Sequence, residues 1–485
     1  MRRSGRHPAA LAAVAAVAAV IFGACSPAPV KPTPTPPKSA PTAPPVRVTV
    51  VRWFVGLGLG NDAVQVEAEK AFVKAYNASQ SQIYISLEIV PTAVAAQTLK
   101  SEIADGAAPD IVGPVGVDGR NGFSGDFLDL SSEILSSGYD MSKYPSALVD
   151  FFKNGQEGQV GLPYLISPGF IFYNKDIFTR AKLPDLPKKV GDQWNGKDWT
   201  WDTLAGIAAQ LTLDNQGKKS TDTGFNPANI VQYGIDFQWA DARRMASCFA
   251  SGSFLGSDGK ATIPDGWKAA WTWYYNAIWK SHIAPTTKAV ESPLLGNGST
   301  VASGHLAMAA SWPWAIPTYG SLDQVGTATA RFSTWDMAVM PSYLGQTSSP
   351  MDADTFVITK ATANPDQAFA AMVAIMGDKQ LQAAYGGMPA ITADQQAWFD
   401  QSDLALSKVF PGNRVTWSVL QDMENYPAYP SPEVDLPNYQ KVATLSAAFY
   451  ARLQSSGKVN MVPELANLQN QIQAAFQQAG ASPSS

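Results

Sequence analysis

Residues 161–178 constrain the fold of this chain more than any other stretch. They are almost wholly apolar, yet Pro163 disfavours a helix at their entry and Pro168 with Gly169 interrupts their middle. The segment reads as an extended piece, then an aromatic strand through Ile171, Phe172 and Tyr173, then a turn. A strand broken in this way suits a hinge, and its competitor is an ordinary buried strand with a Pro-Tyr turn. A hinge needs two bodies to join, and 485 residues exceed what one hydrophobic core organises, so two or three compact units are expected. Hydrophobic residues make up 46% and charged residues 15%, as in a globular protein. A formal charge of −5 without a long basic run argues against nucleic acid as a partner.

The amino-terminal 46 residues do not read as fold. Arg2, Arg3 and Arg6 precede an apolar run over residues 9–22. That is the layout of a secretory leader, and the run is too short for a comfortable membrane span. Phe22, Gly23, Ala24 and Cys25 resemble a bacterial lipobox, with Phe22 in the place of the usual leucine. The resemblance implies a leader over residues 1–24 and a diacylated Cys25; a plain signal peptide with an incidental cysteine is the alternative. Residues 26–46 are rich in Pro, Thr, Ala and Lys and read as a polyproline spacer reaching ~60 Å at ~3.1 Å per residue. No second hydrophobic stretch is long enough to span a bilayer, so the chain is not read as a permease.

Residues 47–54 alternate and are rich in valine, which reads as a strand. Gly56, Gly58 and Gly60 follow it and lead to an amphipathic helix over residues 62–78. A dinucleotide fingerprint fails here because Asn61 stands where its third glycine belongs. The glycines instead let backbone approach a neutral ligand near the strand's carboxyl end, where open sheets place their sites. Trp53 and Phe54 end that strand, and each is read either as a ligand contact or as core. A second strand over 84–90 and a helix over 97–105, closed by Gly106, come next.

A Gly-Leu-Pro-Tyr turn at 161–164, followed by Tyr-Asn-Lys-Asp-Ile-Phe at 173–178, resembles the extracellular solute-binding proteins of sugar ABC importers, the maltodextrin-binding branch in particular. Further segments follow in the family's order. They are Gly106, Pro109, Asp110 and Ile111; the helix start Trp199, Thr200, Trp201; the strand with Tyr233, Gly234 and Ile235; residues 301–314; and the strand 335–341 ending in Met340 and Pro341. The resemblance implies an α/β, two-lobed periplasmic-binding-protein-like fold of type II, with mixed sheets flanked by helices and a hinge crossed at least twice. It implies one lobe from 47–165 with 350–402 and another from 166–349 with 403–485.

Carried onto this sequence, the family's cleft edge falls at Pro114 and Gly116 and its crossover at Tyr164. Trp239 sits just beyond a strand end. Trp312 and Trp314 stand where the family's aromatic rings face sugar; a lobe-surface cluster is their alternative. Asp352 and Asp354 replace family glycines on the return crossing, and two carboxylates there accept hydroxyls, hold a cation or simply meet water. Arg414 lies where the tail returns to the cleft, or forms a surface ion pair. The aromatic-rich residues 267–280 read as core, and Asp110 reads as structural.

The implied function is a lipid-anchored, extracytoplasmic receptor that captures a small mono- or oligosaccharide and delivers it to an ABC permease. It is expected to be monomeric, without cofactor or metal and without catalytic activity. The alternatives are a secreted carbohydrate-active enzyme and a receptor for a non-sugar solute. The enzyme reading needs two carboxylates flanking a scissile bond, whereas Asp352 and Asp354 share one face of a strand. A Gly-x-Ser-x-Gly elbow, a His-Glu-x-x-His helix and a phosphate loop are lacking.

Overall fold

A computed structural model of the chain describes residues 48–116, 119–120, 122–123, 125–154, 158–320, 331–429 and 436–480. The leader, Cys25 and the proline-rich spacer lie outside them. Among the described residues no helix is long and apolar enough to cross a membrane.

Two sheets carry the fold. The first is built from β1 (Thr49–Val55), β2 (Ile83–Ile89), β3 (Ile111–Val115), β4 (Leu162–Pro168), β10 (Met351–Ile358) and β11 (Met388–Pro389) in the order β11-β4-β10-β3-β1-β2. β1 runs parallel to both β2 and β3, whereas β10 lies antiparallel between β3 and β4. The second sheet has the order β6-β7-β8-β5-β9, from β5 (Phe170–Asn174), β6 (Leu213–Asp214), β7 (Ile230–Asp236), β8 (Leu306–Ser311) and β9 (Trp335–Ala338). This is the two-lobed α/β architecture with mixed sheets that the sequence implied.

The crossover is as short as the sequence suggested. Only Gly169 separates β4 in the first sheet from β5 in the second. The returning chain passes beside it: the Gly169 N–H donates to the Pro350 carbonyl at 2.9 Å, and Ser349 Oγ donates to the Gly169 carbonyl at 3.1 Å. The passage is tight, because a Cβ at 169 would press within 3.1 Å of both Met340 and Pro350.

Strand periodicity decides what each side of the first sheet buries. Val51, Trp53 and Val55 point to one face. They pack with Ile111, Leu162 and Phe356 under helices α6 (Pro365–Gly377) and α7 (Lys379–Tyr385). Phe54 points to the other, with Val112, Val115 and Val357 against Ala95 and Leu99 of α2 (Thr92–Ala104). A sheet covered on both faces leaves Trp53 and Phe54 at 0% exposure. The Trp53 indole N–H is satisfied by the Gly113 carbonyl at 2.6 Å. Their reading as ligand contacts is therefore corrected to core.

α1 spans Ala63–Ser79, close to expectation. α2 begins at Thr92, five residues before the expected start at 97, because Thr92-Ala-Val-Ala-Ala already favours a helix directly after Pro91. In the second lobe Thr200 caps α3 (Trp201–Leu211), its Oγ1 accepting the Thr203 N–H at 3.2 Å. Trp267, Trp271 and Tyr274 of α5 (Asp265–Trp279) are buried, as a packing stripe should be. Asp110 is structural as expected, accepting the Arg52 N–H at 2.8 Å.

Gly234 of β7 lies against α3, where a Cβ would overlap the carbonyl oxygen of Ala208. Gly234→Ala is expected to cost about 1–3 kcal/mol. A lower urea midpoint at unchanged slope checks it, and an unchanged midpoint would mean that helix and sheet separate freely there.

Candidate functional site

β1 has β2 on one side and β3 on the other, so the chain diverges at the carboxyl ends of β1 and β3 and leaves a crevice there. The glycine loop after β1 brings Leu57 and Leu59 to that crevice, and Gly116 follows β3 into it. These residues line a cavity of about 890 Å³. Further lining comes from Leu165 and Ser167 of β4, Asp352 and Asp354 of β10, and Arg244, Pro313, Trp314 and Ile316 of the second lobe. Both lobes therefore contribute walls, and the volume lies within the range of roughly 300–1,000 Å³ usual for small-molecule sites.

The polar centre is a three-residue constellation. α4 (Ala242–Ser247) follows β7, and its cap Asp241 accepts the Arg244 N–H at 2.8 Å, fixing that residue in the first turn. The Arg244 guanidinium meets Asp352 Oδ1 at 2.5 Å and lies 5.3 Å over the Trp312 ring. Asp352 Oδ2 accepts the Trp314 indole N–H at 2.7 Å. Trp314, 44% exposed, is braced by Trp312, stacked at 5.9 Å and 9°, and by Trp239, edge-on at 5.9 Å and 74°. The result is an exposed aromatic ring held at a fixed angle with a carboxylate bonded to its edge.

Asp354 stands two residues along the same strand and so faces the same side. The pairing of β10 with β4 slips by one residue here, from Asp354 opposite Leu165 to Thr355 opposite Pro163, which leaves Tyr164 bulged. Burial, and then the neighbouring Asp352 charge, push the Asp354 carboxyl up to about 7. Glu69 of α1 is also raised to about 7 by burial, although the Tyr385 hydroxyl donates to its Oε1 at 2.8 Å. Glu424, buried beside Gln395, is raised to about 7 as well.

A carboxyl whose pKa rises on folding binds its proton more tightly in the native state, so stability falls as pH climbs from the unfolded to the folded pKa. The ligand-free protein should lose thermal stability steadily between about pH 4.5 and 7. Glu69→Gln should flatten that slope, and a melting temperature that rises over the interval would contradict the assignment.

The cavity gathers some of the expected residues and not others. Gly116, Trp314, Asp352 and Asp354 line it. Trp312 is fully buried; its indole N–H donates to the Pro350 carbonyl at 3.0 Å, so it supports Trp314 from behind. Trp239 is half-buried and touches Trp314 and Tyr319. Pro114 is buried within β3. Tyr164 is 2% exposed, with its ring against Phe356 and Tyr385, and belongs to the core beneath the site. Arg414 is exposed and outside the cavity lining, while its neighbour Trp417 lines it with an N–H held by Asp403 at 2.8 Å.

Arg244 and Tyr385 line the cavity without having been expected there. For Arg244 the signal was present: Asp241-Ala-Arg-Arg directly after a strand end is a capped helix start aimed at the crevice. Tyr385 carried none, because the short helix that presents it is placed by packing on α1 and α6.

A search by sequence against the curated proteins finds no match. Among solved structures, the chain is similar to Mycobacterium tuberculosis UspC, with a TM-score of 0.65 at 18% identity over 88% of this chain and 100% of that one. The sugar-binding protein MalE from Xanthomonas citri aligns with a TM-score of 0.64 at 16% identity, covering 89% and 98%. The galacto-N-biose-/lacto-N-biose I-binding protein of Bifidobacterium longum, solved in complex with lacto-N-biose, aligns with a TM-score of 0.61 at 17% identity, covering 90% and 98%. At these identities the likeness speaks for the fold. Residues 71–397, which include the crossover, the aromatic constellation and the return strand, match the family described as bacterial extracellular solute-binding protein, and the chain belongs to that family.

Proposed function

We propose that this protein is the extracytoplasmic receptor of an ABC importer and that it captures a small carbohydrate in the cavity lined by Trp314, Asp352 and Asp354. The observation that carries the reading is Trp314, an exposed indole face beside a carboxylate bonded to its own edge. Sugars need such a pairing, with an apolar ring to cover C–H groups and fixed acceptors for hydroxyls. The B. longum relative, solved with a disaccharide, supports the sugar class. Two lobes, expected as 47–165 with 350–402 and 166–349 with 403–485, close on the solute, with the first crossing drawn at Gly169, where β4 of the first sheet gives way to β5 of the second. Phe399 of α8 (Thr392–Leu406) stacks on Trp417 at 5.7 Å, so this helix joins the second lobe's core before residue 402.

In this reading the protein acts as a monomer, without cofactor and without turnover, and hands its solute to permease subunits. Titration calorimetry with a panel of mono- and oligosaccharides, alongside thermal shift, tests it. Saturable binding of at least one saccharide is expected. Stabilisation by a metal ion or a peptide with none by any sugar would displace the sugar class, and hydrolysis of an oligosaccharide would displace the receptor.

Cys25 is proposed as the lipidated residue. Cys25→Ser expressed in a bacterial host with lipoprotein processing should move the protein from the membrane fraction to the soluble one. Unchanged membrane association would remove the anchor from the proposal.

A further inference from the structure

The charges lining the cavity do not balance, and the residue left over is Asp354. Among the described lining residues Arg244 is the single base, against Asp62, Asp352 and Asp354. Asp62 stands at the start of α1, where the helix end favours a negative charge. Asp352 is accounted for by Arg244 and the Trp314 N–H. Asp354 has no hydrogen bond or ion pair among the described residues.

Among the described residues of the surrounding elements no cation pairs with it. Its own strand supplies Asp352, a like charge, while Tyr164 of β4 and Tyr385 of α7 lie close enough to feel its charge and are neutral phenols. Glu69 of α1, behind those phenols, is a third acid. On the β3 side the carboxylate meets Gly116, where even an added Cβ would stay 3.6 Å from Asp354 Oδ1. Asp354 therefore lines the crevice with no described side chain bonded to its carboxyl group.

A half-buried carboxylate beside another carboxylate is an unfavourable arrangement unless it takes up a proton or a cation arrives to match it. A neutral hydroxyl offers a single donor and does nothing against the repulsion from Asp352. A protonated amine brings up to three donors together with the missing positive charge, and charge-assisted bonds of this kind are roughly twice as strong as neutral ones. Charge complementarity across an interface also selects among otherwise similar partners.

We infer that the solute this cavity accommodates carries a protonated amine, that within the carbohydrate reading above it is an aminated saccharide, and that Asp354 receives the ammonium group. The inference rests on that reading for the saccharide part alone. Asp354 is then the specificity-determining residue, while Trp314 and Asp352 hold the ring.

The test pairs sugars that differ only by an amine in place of a hydroxyl: glucosamine with glucose, galactosamine with galactose, and the β-1,4-linked glucosamine disaccharide with cellobiose. Calorimetry on the full chain at pH 7 and low salt should show an aminated member binding at least about tenfold tighter than its hydroxyl parent. High salt should narrow that gap. Asp354→Asn, whose melting temperature verifies folding, should erase the advantage, so that the aminated sugar and its hydroxyl parent bind alike.

Equal or tighter binding of the neutral sugars by the wild-type protein overturns the inference and leaves the carbohydrate receptor intact. An amine preference that persists in Asp354→Asn overturns the role of Asp354. Failure of every saccharide, aminated or neutral, overturns both readings. The wild-type comparison does not depend on the variant, so a misfolded Asp354→Asn protein does not remove the test.

Discussion

Trp314→Ala should weaken solute binding by about 30-fold or more, the loss expected when an anchoring aromatic of about 2 kcal/mol is truncated at a binding site. Trp314 is the exposed ring of the constellation, so its removal takes away the contact surface and also frees Asp352 Oδ2 from its indole partner. Stability should fall by only about 1–2 kcal/mol, the worth of its ring contacts with Trp312 and Trp239. Trp314→Phe separates the two contributions, because it keeps a ring and deletes the N–H; a loss of several-fold is expected. Calorimetry with the best saccharide from the screen measures both variants. Wild-type affinity in Trp314→Ala would dismiss this ring as the sugar platform.

Trp312→Ala should have the opposite balance, with a stability loss of about 3–5 kcal/mol. Trp312 is wholly buried, stacks behind Trp314, gives Arg244 a face to lie over and ties its N–H to the hinge carbonyl of Pro350. Its truncation leaves a large void and an acceptor without its donor, two penalties that add. A guanidinium midpoint well below wild type is expected. Trp312→Phe, which fills most of the space, should recover about half of the loss. If Trp312→Ala unfolds at the wild-type midpoint, the two rings are not the layered pair described above.

The two-lobed fold was legible in the sequence through its resemblance to a known family, and the place of the crossover through backbone chemistry. Proline at 163 and 168 permits few conformations, and Gly169 and Gly234 mark places where chain passes closely against chain. The site was legible where a residue type is out of keeping with its surroundings. Asp352 and Asp354 in an otherwise apolar strand, and Trp314 after a proline, all reach the cavity. What escaped was depth. Trp53, Trp312 and Trp314 are the same residue type near strand ends, and only the covering layers decide which of them meets solvent. Helices α6 and α7 seal Trp53, whereas among the described residues no element seals Trp314, which stays 44% exposed. Arg414 and Trp417 show the same limit, because a difference of three positions moves a side chain between the surface and the cavity lining.

The two strands that pass between the lobes are bonded to each other at Gly169 and Pro350. Like a pair of straps stitched together at mid-length, they fold readily about one line and resist wringing about any other. Opening and shutting are then expected to follow a single swing, and the Pro350 carbonyl on the stitch is the one that the Trp312 indole grasps. Any change in angle there is expected to reach the rings at the mouth of the cavity.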